Sequence, residues 1–213
     1  MKVITETIKL EQICEIFSED DYVCIDTEFT RSYTYRPLMC LIQIGNKRRG
    51  DFIIDPLAKN IVLKSLFKLI NESSTMKVFH SSRQDLEIFY NYSGRLPNLI
   101  FDTQIASMAC GLGADISYEN LVYNYLKIKL DKSIRYSDWS LRPLSKKHLE
   151  YAIKDVKYLS DIYTALLKTL ESRKRLEWIV EETNKLKLKS GVALDYEAKT
   201  KRYVSLQVKN DLG

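Results

Sequence analysis

Apolar residues recur in two rhythms along this chain, and the change from one to the other divides it. Residues 2–5 read as a short edge strand. Leu10, Ile13, Cys14, Ile16 and Phe17 then form a helical stripe, stopped by Ser18-Glu19-Asp20-Asp21. Residues 22–27, 39–44 and 51–54 are β-type runs, the last two closed by Gly45-Asn46 and Asp55-Pro56. They are joined by a polar, Tyr-rich connection at 31–37 and a basic turn at 47–50, which predicts an antiparallel meander.

Helical spacing follows over 57–70, then a strand at 77–80 and a helix that begins at 84–90. A last short strand is predicted at 99–101, with a helix through Met108 to the Gly111-Leu112-Gly113 break. Strand–helix alternation of this kind predicts parallel pairing on one side of the sheet. Residues 118–126, 145–170 and 172–189 read as helices, with Ser145 an N-cap behind Pro143. Residues 203–208 alternate like a strand inside a tail at 191–213. No internal repeat is visible. The whole is an α/β pattern: a mixed sheet flanked by helices, with a helical C-terminal half.

Composition narrows the class. The chain has 213 residues, 45% hydrophobic and 29% charged, as suits one sizeable globular core. No run approaches the ~20 apolar residues that cross a bilayer, so no membrane role is expected. Residues 1–21 lack the apolar stretch of a secretory signal. Cys14, Cys24, Cys40 and Cys110 show no C-x-x-C spacing and lie mostly in apolar runs. Buried, reduced thiols in a cytoplasmic protein are therefore expected. The net charge of +5 is unevenly spread: residues 172–213 hold ten Lys/Arg against six Asp/Glu. That permits a polyanionic partner and equally fits a solvated helix face with a tail.

Candidate chemistry starts at Asp26-Thr27-Glu28-Phe29, where an apolar strand ends in two carboxylates. Alternation points Asp26 and Glu28 the same way, so they repel unless a cation sits between them. Taken alone, the stretch also reads as a strand running out into a solvated acidic turn. Asp85 falls in the first turn of a helix, a favourable place for any acid. Tyr151 and Asp155 are four apart on a packed helix, where an inward Asp needs a salt bridge or a metal. Together the four acids match what Mg²⁺ or Mn²⁺ selects, and can hold two ions ~3.5–4 Å apart for phosphodiester cleavage. A free phenol titrates near ~10, which suits Tyr151 to orienting a water more than to simple base action.

The order Asp-x-Glu, Asp, then Tyr-x-x-x-Asp resembles the DEDDy 3′-5′ exonucleases, and ribonuclease D within them. Asp26 to Phe29 with Leu41-Ile42-Gln43-Ile44 resembles the first exonuclease motif. His80 through Asp85-Leu86-Glu87, extended by Phe101 to Ala106, resembles the second. Asp131-Lys132-Ser133, Asp138-Trp139 and Arg142-Pro143-Leu144 resemble the segment before the third, and Tyr151-Ala152 with Asp155-Val156 the third itself.

The resemblance implies a ribonuclease H-like five-stranded mixed sheet, in an exonuclease domain over 1–190. It implies two divalent cations, Mg²⁺ or Mn²⁺, and hydrolysis of RNA from a free 3′ hydroxyl to nucleoside 5′-monophosphates, tRNA precursors being the expected substrates. Asp26, Glu28 and Asp155 would hold one metal, and Asp26 with Asp85 the other. Tyr151 would position the water, and Thr27, Phe29 and His80 would line the terminal nucleotide's pocket. Phe29 also reads as an ordinary packed aromatic, and the 138–143 stretch as a structural brace. Residues 191–213 are too few for the helical HRDC domains of full-length ribonuclease D, so a catalytic-domain-only form is expected. A DNA-directed or dual-specificity exonuclease and a non-catalytic nucleic-acid-binding module are the competing readings.

Overall fold

A computed structural model describes residues 3–31, 36–131, 134 and 137–189. Its centre is a six-stranded sheet in the order β1-β4-β3-β2-β5-β6. The strands are β1 (Val3–Ile4), β2 (Tyr22–Thr30), β3 (Leu38–Asn46), β4 (Gly50–Ile54), β5 (Met76–Phe79) and β6 (Ile100–Asp102). The meander is present, with β2, β3 and β4 antiparallel, and β5 and β6 continue from β2 in parallel. The expected five strands become six because the N-terminal edge strand joins the same sheet, parallel to β4.

Alternation along β2 sorts its residues between two layers. Val23 and Ile25 face a core built with α1 (Thr7–Ser18), α2 (Lys64–Glu72) and α3 (Arg83–Ser93), where Phe17, Ile70 and Phe89 are fully buried. Cys24 faces the opposite layer, with Val156, Leu159 and Leu166. That layer holds α4 (Thr103–Ala109), α5 (Tyr118–Leu126), α6 (Lys146–Lys157), α7 (Leu159–Ser172) and α8 (Leu176–Lys189). All four cysteines are buried and free, as their apolar surroundings predicted.

Three helix boundaries differ from the pattern. Residues 57–60 are turns and 61–63 are irregular: the Asp55 carboxylate accepts the Leu57 N–H at 3.0 Å, and Asn60 is left-handed at φ 69°. Helix α2 therefore begins only at Lys64. The long helix predicted over 145–170 breaks at Tyr158 into α6 and α7, although its apolar spacing is unbroken. The break lets α6 lie on β2, β3 and β4 while α7 packs on α4 and α5. The last helix starts at Leu176 because Lys174 is left-handed and the Arg173 and Arg175 guanidiniums cap the Cys110 and Ala109 carbonyls. Ser145 caps α6 as predicted, accepting the His148 N–H at 3.3 Å. Among the described residues no helix is long and apolar enough to cross a membrane. The strand-like run at 203–208 lies outside the described residues, as do parts of the 31–37 and 131–133 segments.

Candidate active site

Asp26 and Glu28 project from one face of β2 near its C-terminal end, just before a register shift between Glu28 and Phe29. Helix α6 crosses this face and brings Asp155 down onto it. Oxygens of Asp26, Glu28 and Asp155 all lie within 4.8 Å of one another, and each residue is half-buried. Asp155 lies more than a hundred residues of chain beyond the other two, so the packing of α6 on β2 is what completes the group.

Asp85 enters from the other side. It sits in the first turn of α3, almost wholly buried at 6% exposure. The Thr27 hydroxyl donates to its carboxylate at 2.5 Å. The residue between the two β2 acids thus ties the fourth acid to the strand. The turn that launches α3 is set by Asp102 at the end of β6. Its carboxylate accepts the Ser81 N–H at 3.1 Å and the Ser82 N–H and hydroxyl at 2.8 Å, and it caps α4 through the Gln104 N–H. This fixed turn holds Ser81 at φ 58°, a region strained for a residue with a Cβ.

The electrostatics follow from the crowding. Burial pushes the Asp26 carboxyl well above the usual range, and the Asp155 charge pushes it further. Burial does the same to Asp85, reinforced by the Asp26 charge and partly opposed by the Thr27 hydroxyl. Acids raised first by burial and then by a neighbouring carboxylate mark a site that favours positive charge. Converging hard oxygen donors of this kind fit a Mg²⁺- or Mn²⁺-type cation. Asp26, Glu28 and Asp155 would hold one such ion, and Asp85 stands beside Asp26 for a second.

The other predicted residues group around this centre. Tyr151 lies one turn before Asp155, its ring 6.0 Å from Trp139, and shares a small pocket with Asp155, Lys154, Leu130, Asp131 and Glu119. Phe29 is half-buried against the first core, with the Arg31 guanidinium 5.4 Å from its ring centre. Glu87 grips Arg31 through two bonds of 3.1 and 2.7 Å. His80 bonds the Thr103 hydroxyl at 2.9 Å and packs 5.5 Å from Tyr118; burial lowers its pKa, so it is held neutral. The 138–143 stretch braces the site from behind. Arg142 pairs with Asp55 at 2.7 and 2.8 Å and donates to the Cys40 carbonyl, while Trp139 is buried against Tyr151 and His148.

Two further side chains neighbour the site. Tyr118 donates to the Lys154 carbonyl at 3.0 Å, one residue before Asp155. Gln43, opposite Asp26 on β3, is fully buried. The β2–β3 register puts Gln43 on the Asp26 face, and the docking of α5 in the second core brings in Tyr118.

A mixed sheet in this order, with an acid-lined strand end, is a ribonuclease H-like α/β fold. A profile for the 3′-5′ exonuclease family matches residues 1–171, and the chain belongs to that family. The sequence is 46% identical to the ribonuclease D of Bartonella henselae over 182 residues, 85% of this chain and 45% of the relative. The crystal structure of Escherichia coli RNase D, described as an exoribonuclease involved in structured RNA processing, superposes with a TM-score of 0.84. That match has 33% identity and covers 89% of this chain and 50% of the other. Brucella melitensis NrnC with bound Mg²⁺ matches with a TM-score of 0.74 at 26% identity, over 91% and 90% of the two chains. The resemblance to ribonuclease D drawn from the motifs therefore extends to the fold. The chain spans about half the length of the curated relatives it matches.

Proposed function

We propose that this chain is a divalent-metal-dependent 3′-5′ exoribonuclease that shortens RNA from a free 3′ hydroxyl and releases nucleoside 5′-monophosphates. The observation that carries the reading is the convergence of Asp26, Glu28 and Asp155 on one point, with Asp85 adjacent. The similarity to ribonuclease D supports RNA as the polymer; in this reading structured 3′ ends such as those of tRNA precursors are its substrates, in the cytoplasm. Residues 1–190 form the catalytic unit in this reading.

Bound at the acids, two Mg²⁺ or Mn²⁺ ions would lower the pKa of the attacking water and stabilise the departing 3′ oxygen. The chain's own residues supply the rest. Asp26, Glu28, Asp85 and Asp155 fix the geometry. Tyr151, one helical turn from Asp155, orients the water for in-line attack. Phe29, backed by Arg31 and Glu87, presents a ring face for the terminal base, a contact that tolerates any base. Thr27 and His80 would line the terminal nucleotide's pocket beside it, as the resemblance to ribonuclease D implies.

The test is a digest of 5′-labelled and 3′-labelled RNA with Mg²⁺ or Mn²⁺, with and without EDTA. Stepwise shortening of the 5′-labelled strand, immediate release of labelled mononucleotide from the other, and arrest by EDTA are expected. A chain that binds RNA without cleaving it, or an Asp26→Asn variant with full activity, overturns the reading. Matched DNA in parallel measures sugar selectivity, and equal rates on DNA would make the enzyme a dual-specificity exonuclease.

A further inference from the structure

Gln43 is a buried side chain beside the site whose chemistry the proposed reaction does not use. It lies on β3 directly across from Asp26, and alternation puts both on the same face of the sheet. Leu41 precedes it on that face and Ile53 lies opposite it on β4. Those two pack with Ala152 of α6 and with Trp139, so the amide is walled by hydrocarbon. The residue is fully buried, and among the described residues neither Oε1 nor Nε2 has a hydrogen-bond partner. Buried amides are almost always paired, and an apolar residue of the same shape would fill this space without the cost of desolvation. Opposed Cβ atoms in an antiparallel pair stand about 5 Å apart. The Gln43 amide makes no bond to Asp26 in this structure, but that spacing leaves it one side-chain rotation or one bridging water from the Asp26 carboxylate. Asp26 is also the acid that the two-ion arrangement would use twice, and so the one whose two oxygens most need fixing.

We infer that Gln43 is a positioning residue: in the cation-loaded site its amide N–H donates to the Asp26 carboxylate and orients it toward the ions. The inference rests on the metal-dependent reading above. Groups that orient metal ligands in this way change affinity or activity by about 10–100-fold when removed.

The test uses the full chain with Gln43→Met, and Gln43→Leu as a second variant of similar volume. Mn²⁺ binding is measured by the EPR signal of free Mn²⁺, RNA hydrolysis at saturating Mn²⁺, and thermal unfolding in EDTA. The expected result is Mn²⁺ binding weakened about 10–100-fold, a lower kcat with KM for RNA unchanged, and a Tm in EDTA equal to or above wild type. A merely packed amide predicts the unchanged or higher Tm alone. Mn²⁺ affinity within about twofold of wild type overturns the inference, since a ligand-orienting group must move it further. So does a fall in Tm that accounts for the lost activity in both variants. Wild-type protein that binds no Mn²⁺ would instead remove the metal-dependent reading, and the inference with it.

Discussion

Replacing Asp26 by Asn should stabilise the metal-free protein while destroying its activity. The acid oxygens of Asp26 and Asp155 lie within 4.8 Å. At an effective dielectric of ~20, two full charges at that distance repel by about 3.5 kcal/mol. For a chain of this size such a relief corresponds to a ceiling of roughly 7–14 °C in Tm. Protonation takes up part of it in the wild type, and the pH dependence shows how much. The folded-state pKa of Asp26 is raised above its unfolded value, by burial and then by Asp155. The native state therefore holds more protons than the unfolded state once the pH exceeds about 4. Stability is lost as pH rises through that window up to the folded pKa, and stays level beyond it. Asn carries no charge, so the variant lacks this loss.

The assay is thermal unfolding of both proteins in EDTA from pH 4.5 to 8. The Tm difference, variant minus wild type, should be small at the acid end and grow with pH. His80, whose lowered pKa gives the opposite slope, is common to both proteins and cancels. With Mg²⁺ present the order should reverse, because the variant loses a ligand. A Tm difference in EDTA that is negative or independent of pH would refute the view of Asp26 as a strained anion awaiting a cation.

Three further outcomes follow from the surrounding contacts. Thr27→Val keeps the volume but removes the 2.5 Å bond to Asp85; kcat for RNA hydrolysis should fall about 10–100-fold, with folded secondary structure by circular dichroism unchanged. Asp102→Ala leaves the buried Ser82 N–H and its neighbours without an acceptor, and should cost about 3 kcal/mol in urea unfolding. Arg142→Leu strands Asp55, which is 8% exposed, and should destabilise by about 2–3 kcal/mol, measurable in the same titration. It should spare Mn²⁺ affinity, since Arg142 acts on the site at one remove, through Asp55 and the Cys40 and Trp139 carbonyls.

Much of this protein is legible in its sequence, for reasons that are local. Period-two runs at β2, β3 and β4 with short joins can pair only as a meander, and the strand–helix alternation after them enforces parallel crossovers. The same alternation fixes Asp26 and Glu28 on one face, and the four-residue spacing fixes Tyr151 above Asp155. Ser145 as a cap and the buried thiols are equally local. The break at Tyr158 was not legible, because apolar spacing runs through it and only the competing surfaces of the sheet and of α4 and α5 divide the helix there. The start of α2 was hidden likewise, since Asp55 and Asn60 override helical spacing through one side-chain bond and one left-handed residue.

The site shows the same division. Which acids exist, and which of them share a face or a turn, is a property of the chain's own geometry. That Asp155 meets Asp26, that Thr27 holds Asp85, and that Asp102 sets the turn below it are contacts between residues far apart in sequence. Such contacts depend on how α3 and α6 dock on the sheet, and docking is decided by the two cores rather than by any one stretch. The sequence alone determined the ingredients of a cation site. Only the packing of helices on both faces of β2 brought like charges close enough that a cation becomes the cheapest way to satisfy them.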